Sequence, residues 1–364
     1  QLYINDLDYG DPSSSNPSGF SNVSRLFYNS SVKVAGAKVA NFFSSDDSGG
    51  ANSQNLLYAR ELWPSDDTDV IFRGTEKAEN LNLSFSHNNY DRSGLSDMGV
   101  GGSGNITLDL KSGDDVVRGY QPINSDTVQM GYGNDQLFVK ISGDGSVDRP
   151  NYSSLNVATL DGGAGSDWLI FTNDGAANTD QTLRLTTGGA VNFENLGGSN
   201  ANEVLYGDDA DNVIAGGGLD SMNASPQAGG TDKIFGQGGN DTLHGNGELY
   251  GEAGNDILYG GSSDDLLDGG KGADTITTGS GSDQITLRAG DGGSELSNAD
   301  VITDFTDGSD DFGFTTGLSF GEISWAQGSG DYANDTIIKA GSEYLAILEG
   351  VDVGLLTEAD FEPV

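Results

Sequence analysis

Aspartate recurs at a fixed spacing in the second half of this chain, each time beside glycine. The unit at 236–244 reads Gly-Gln-Gly-Gly-Asn-Asp-Thr-Leu-His, and related units occupy 251–259, 260–268, 269–277 and 278–286. Their sixth positions, with one from a partial unit, are Asp232, Asp241, Asp256, Asp265, Asp274 and Asp283. Their eighth positions are Ile234, Leu243, Leu258, Leu267, Ile276 and Ile285. One offset breaks the period of nine. Asp241 and Asp256 are 15 apart, a full unit plus the six-residue piece 245–250. Carboxylates at this density repel one another, so they are either solvated in a disordered chain or neutralised by cations. Disorder has no need of an aliphatic residue at every ninth place, so the spacing favours cations on a folded chain.

The same pattern reaches upstream in weaker form. The unit at 162–170 fits every position and supplies Asp167, while Asp135 and Asp115 stand in second halves of units. Units at 198–206 and 207–215 keep the period but carry Glu203 and Asn212 at position six. Insertions at 142–158, 172–190 and 219–228 interrupt it.

Other chemistry is thinly represented. His87 and His244 are the two histidines, and neither belongs to an H-E-x-x-H pair; a G-x-S-x-G string occurs once, at Gly317-Leu-Ser-Phe-Gly321. His244 falls at position nine of a unit, a solvent-facing place. Adjacent carboxylates occur at Asp46-Asp47, Asp66-Asp67, Asp114-Asp115 and Asp264-Asp265. Such pairs could serve a glycosidase or lyase, but in so acidic a chain they read first as solvated or cation-bound. The start Asp6-Leu7-Asp8-Tyr9-Gly10 resembles an EF-hand loop, yet its twelfth position is Pro17 rather than glutamate, so a turn is expected.

The elements that position the aspartates follow from the same nine residues. Positions one to six form a turn, where glycine permits positive φ and leaves carbonyls open. Positions seven to nine form a short strand whose eighth side chain points inward. The pattern resembles the RTX, or hemolysin-type calcium-binding, nonapeptide G-G-x-G-x-D-x-U-x. That resemblance implies an all-β chain, a parallel β-roll or β-solenoid in which two units make one coil, closed by a C-terminal β cap. It pairs Asp256 with Asp274 on one edge and Asp265 with Asp283 on the other, with Asp241 approaching Asp256. It implies Ca²⁺ as cofactor, held by oxygen ligands alone. The metal residues it suggests are the six aspartates above, with Asp167, Asp135 and Asp115, and the turn glycines Gly236, Gly251, Gly260, Gly269 and Gly272.

Composition sets the outer limits. The chain has 364 residues, with 16 Lys and Arg against 56 Asp and Glu, for a net charge of −40. Nucleic acid and anionic membranes are therefore poor partners. There is no cysteine, which excludes disulfides and thiolate metal sites. No apolar run reaches about 18 residues, so no membrane span is expected. The start at Gln1, without methionine or a leader, reads as a processed or trimmed N-terminus.

Four regions are expected: an N-terminal extension and linker at 1–64, a degenerate loop-bearing solenoid at 65–226, a regular roll at 227–299 and a cap with secretion region at 300–364. A separate β-sandwich before residue 195 is the alternative. In the last region, Asp-Val-Ile-Thr-Asp-Phe at 300–305 and Glu-Tyr-Leu-Ala-Ile-Leu-Glu at 343–349 resemble the C-terminal part of type I-secreted RTX proteins. Phe305, Phe312, Phe314, Phe320 and Trp325 offer a fuller core there. The C-terminal half is similar to surface RTX proteins of the oscillin type in filamentous photosynthetic bacteria. The resulting expectation is a secreted, extracellular structural protein at the cell surface, assembling with copies of itself as an S-layer, sheath or filament. Residues 1–10, with Leu2 and Ile4 alternating with polar neighbours, would add as a strand to a neighbouring subunit. Two alternatives stand beside it: an adhesin binding cell-surface or extracellular polysaccharide through its inserted loops, and a polysaccharide lyase or hydrolase on a β-helix.

Overall fold

In a computed structural model, the structure describes residues 106–120, 127–141, 159–173, 181–186, 190–217, 229–315 and 317–363. Before residue 106 it describes the backbone of seven strands. Among the described residues there is no α-helix, and no helix is long and apolar enough to cross a membrane. The chain divides into two compact units, residues 1–174 with 186–193, and residues 175–185 with 194–364.

The second unit contains the regular repeats, and its short strands are set by the eighth-position aliphatics. One parallel run stacks Gln181–Arg184, Glu203–Tyr206, Thr231–Gly238, Asn246–Ala253, Leu266–Lys271, Gln284–Leu287, Asp311–Phe314 and Phe361–Pro363. A second stacks Asn195–Gly197, Val213–Ala215, Thr242–His244, Ile257–Gly261, Thr275–Gly279, Asp300–Ile302 and Glu343–Leu348. The chain alternates between the two sheets, strand by strand, through the repeats. This is the expected parallel β-solenoid.

The eighth-position residues form two inward columns. Leu205, Ile234, Leu249, Leu267, Ile285 and Phe312 line one sheet, and Leu196, Ile214, Leu243, Leu258, Ile276 and Ile302 the other, all buried. The six-residue piece keeps its place in the column, because Leu249 pairs in register with Ile234 and Leu267. One buried aliphatic side chain contributes about 1.5–3 kcal/mol, less than the backbone entropy lost in ordering nine residues. The turns must therefore contribute to stability as well.

Residues 300–364 close this unit. Glu343–Leu348 continues the parallel stack and then turns antiparallel to Thr336–Ala340, which pairs with Ile323–Gln327. Phe305, Phe312, Phe361 and Trp325 stack in sequence, with ring centroids 5.0–5.3 Å apart. Phe361–Pro363 is the last strand of its sheet, and Pro363 has no N–H to offer a further one.

The first unit is parallel too. Leu2–Tyr3, Val39–Phe43, Asp69–Arg73, Ile106–Asp109, Thr127–Tyr132, Thr159–Ala164 and Ala190–Val191 form one run. Asn55–Tyr58, Glu79–Asn82, Val116–Tyr120, Gln136–Ile141 and Trp168–Asn173 form another. Strands from within 1–64, expected to be extension and linker, join both runs. In Thr127–Tyr132 and Gln136–Ile141 more than one residue of the strand points inward, as with Val128 and Met130 or Leu137 and Val139.

Candidate metal centre

Each nine-residue turn delivers its sixth residue to the same place on the edge of the stack. On the edge leading into Thr242–His244, the backbone N–H of Asp241 donates to Asp256 Oδ1 at 2.7 Å. That of Asp256 donates to Asp274 Oδ1 at 2.8 Å, and that of Asp274 to Asp300 Oδ1 at 3.0 Å. On the opposite edge, Glu203 N donates to Asp232 Oδ1 at 2.7 Å, Asp265 N to Asp283 Oδ1 at 2.9 Å and Asp283 N to Asp310 Oδ1 at 3.3 Å. The three pairs expected from the spacing are thus neighbours. In the first unit Asp115 N donates to Asp135 Oδ1 and Asp135 N to Asp167 Oδ1, both at 2.7 Å. All nine of the expected aspartates are buried, none more than 3% exposed.

The second carboxylate oxygen behaves differently. Oδ2 of Asp232, Asp241, Asp256, Asp265, Asp274 and Asp283 is buried with no hydrogen-bond donor. A buried carboxylate oxygen left so is expensive, and something positive is required beside it. The first-position glycines border these atoms. A Cβ on Gly251 would meet Asp256 Oδ2 and the carbonyl oxygen of Gly269, one coil on. Gly236 stands likewise between Asp241 Oδ2 and Gly251 O, Gly260 between Asp265 Oδ2 and Thr278 O, and Gly269 against Asp274 Oδ2. Gly272 serves the turn itself: its φ is +143°, and a Cβ there would run into the carbonyl of Gly254.

This lining is oxygen and carries formal negative charge. With no cation present, burial first of all pushes Asp232, Asp241, Asp265 and Asp274 up to about 7, and Asp256 and Asp283 to about 6. Among the described residues, no three His, Cys, Asp or Glu side chains converge as a metal cluster. A cation here would be completed by backbone carbonyls. Such a hard, all-oxygen, flexible donor set fits Ca²⁺ and suits Zn²⁺ or copper poorly.

Several residues of the same columns and turns lie outside the expected set. Asp300 and Asp310 continue the two columns into the cap, and burial raises Asp300 well above the ordinary carboxylate range. A signal existed for the second, since residues 308–312 read Gly-Ser-Asp-Asp-Phe, the second half of a unit. Position five forms a further ladder of opposite polarity. Asn240 N donates to Asp211 Oδ1, Asn255 N to Asn240 Oδ1 and Ala273 N to Asn255 Oδ1, at 2.7–2.9 Å. Ser282 N donates to Asp264 Oδ1 and Asn134 N to Asp114 Oδ1 in the same way. The position-six acceptor lies one coil ahead of its donor, and the position-five acceptor one coil behind. Adjacent carboxylates such as Asp264-Asp265 and Asp114-Asp115 therefore divide their work between two ladders.

The remaining candidates lie elsewhere. His244 is half-buried on the outer sheet face, stacked on Tyr259 at 4.6 Å, and burial lowers its pKa. His87, Asp46, Asp47, Asp66, Asp67 and the start at Asp6 lie outside the described residues.

Comparison with known proteins agrees with this geometry. Residues 228–248 and 250–285 match the family described as RTX calcium-binding nonapeptide repeat, in four copies. Among solved structures, an extracellular lipase, LipA from Serratia marcescens, is similar at 15% identity and a TM-score of 0.27. The match covers 80% of this chain and 39% of the lipase. At that level the likeness carries no argument about activity. A search of curated proteins found no match to the chain. Residues 228–248 and 250–285 thus match RTX calcium-binding nonapeptide repeats, a kind of repeat that binds Ca²⁺.

Proposed function

We propose that this chain is a calcium-clamped structural protein of the cell exterior. The observation that carries the proposal is the row of six buried aspartates, each spending Oδ1 on a neighbouring coil and holding Oδ2 toward an oxygen-lined space. Calcium enters between coils, bound by Oδ2 of Asp232, Asp241, Asp256, Asp265, Asp274 and Asp283 and by turn carbonyls, and its binding energy is folding energy. Asp115, Asp135 and Asp167 serve the first unit in the same role. Extracellular calcium modules bind at about 10⁻⁴–10⁻³ M, so the repeats stay open inside a cell and close outside it, as type I export requires.

Assembly into an S-layer, sheath or filament is the finer part of this reading, and it rests on the resemblance to oscillin-type surface proteins. Leu2 and Tyr3 pair with Ala40 and Asn41 of the same chain as the end strand of their sheet, so a neighbouring subunit would meet the other edge of that strand. Of the adjacent carboxylates, Asp114-Asp115 and Asp264-Asp265 serve ladders, which accounts for those two pairs without a lyase or hydrolase.

Circular dichroism tests the core of the proposal. EGTA should abolish the β-sheet signal of the repeats, and millimolar Ca²⁺ should restore it. An unchanged spectrum in EGTA would refute the clamp. Sedimentation in calcium tests assembly: a chain monomeric at high concentration would remove the filament reading and leave the clamp intact.

A further inference from the structure

We infer that the calcium column on the edge carrying Asp232 and Asp265 is broken for one coil, and that the side-chain amide of Asn246 fastens that coil in place of an ion. The inference rests on the calcium clamp proposed above. The break is made by the six-residue piece 245–250. In register, Gly247 stands beside Asp232, so position six of this coil has no carboxylate. Its backbone N–H still donates to Asp265 Oδ1, at 2.6 Å, so the ladder resumes from this coil although the coil supplies no carboxylate of its own.

Asn246 is 9% exposed, and both ends of its amide are spent between coils. Nδ2 approaches the carbonyl oxygens of Gly229 and Gly230 in the preceding turn, at 3.3 and 3.4 Å. Oδ1 accepts from Ser262 N in the following turn, at 2.9 Å. A cation draws carbonyls from two coils together by charge. Here an N–H₂ group satisfies carbonyls on one side and a C=O group satisfies an amide on the other, with no net charge.

The other position-six places without aspartate are also filled from within. Asn212 donates through Nδ2 to Glu194 O at 2.9 Å and accepts from Asp208 N at 2.8 Å. Glu203 accepts from both the N–H and the hydroxyl of Ser199. None of these three places has a buried oxygen lacking a donor, whereas every position-six aspartate of this unit's repeats does. On the opposite edge the same coil is spanned by Asp241 and Asp256 without interruption.

The test counts calcium in the full chain, by native mass spectrometry in calcium-containing buffer and by metal analysis after gel filtration. Asn246→Ala should keep the parental number of ions while lowering the melting temperature. Asn246→Ser keeps a polar group too short to reach both neighbouring turns, and should likewise keep the number of ions and lower the melting temperature. Asp265→Asn should lose at least one. A lower count in folded Asn246→Ala would make Asn246 a calcium ligand and overturn the inference. So would a lower count in Asn246→Ser, which also decides the matter if the alanine variant does not fold. An unchanged count in Asp265→Asn would instead remove the clamp itself.

Discussion

Replacing Asp265 by asparagine should give a chain whose stability deficit depends on calcium. The substitution keeps the shape and leaves an oxygen to accept from Gly247 N. A hydrogen bond to a charged acceptor contributes about 1.5–3 kcal/mol and a neutral one about 0.5–1.5, so this part of the loss is about 1 kcal/mol. Loss of one ion at 2 mM Ca²⁺, for a site of about 10⁻⁴ M, removes about 2 kcal/mol more. For a unit of this size, 1 kcal/mol moves the melting temperature by roughly 2–4 °C. The expected deficit in 2 mM calcium is thus about 6–12 °C, against at most about 1 kcal/mol for Asp208→Ala at an exposed turn position. At low calcium the sign of one contribution reverses. Burial pushes Asp265 up to about 7 in the metal-free fold, so at pH 8 its charge opposes folding and the neutral amide does not. Melting temperature plotted against calcium concentration, by calorimetry, should therefore show two curves that converge as calcium falls. Parallel curves would mean that Asp265 is a hydrogen-bond acceptor and nothing more.

Three other outcomes are expected. In metal-free protein, position-six pKa values raised from 3.8 to about 6–7 give a stabilising contribution that is fully present below about pH 3.8 and lost as pH rises through 7. Circular dichroism should accordingly show more β-structure at pH 5.5 than at pH 8, and the reverse order would contradict the burial of these groups. Asn255→Ala removes the acceptor for Ala273 N and should cost about 0.5–1.5 kcal/mol; hydrogen exchange should find Ala273 less protected with calcium still bound. Gly272→Ala should prevent the repeats from closing even at 10 mM calcium, because its φ of +143° and the Gly254 carbonyl leave no room for a Cβ; a native-like spectrum would show that the turn can rearrange.

The regular repeats were legible in the sequence because one residue type at one position does two jobs. Asp256, Asp265, Asp274 and Asp283 keep exact spacing since each must reach an amide of the neighbouring coil and, on the proposed clamp, an ion, and Leu258, Leu267, Ile276 and Ile285 mark the inward side of each strand. Asp300 and Asp310 escaped notice because insertions stretch the spacing to 17 and 10 residues while leaving the register intact. The position-five ladder was hidden for another reason. Asn and Asp are ordinary turn residues, and nothing in Asn240 or Asn255 alone says that its oxygen serves the next coil. In the first half, strands with more than one inward residue, such as Val128 and Met130, and long insertions blur the period of nine, so Asp115, Asp135 and Asp167 were visible but the strands between residues 1 and 64 were not.

The register of the coils also sets how this chain would yield under tension. Neighbouring coils rise by about 4.8 Å, yet the 18 residues from Asp256 to Asp274 span roughly 60 Å when drawn out straight. A pull along the axis that peels coils singly would lengthen the molecule in repeated increments near that value, each marking the loss of one rung. The coil between Asp241 and Asp256 holds 15 residues and would release roughly 50 Å, so a single short step in a force–extension trace would locate the six-residue piece within the run.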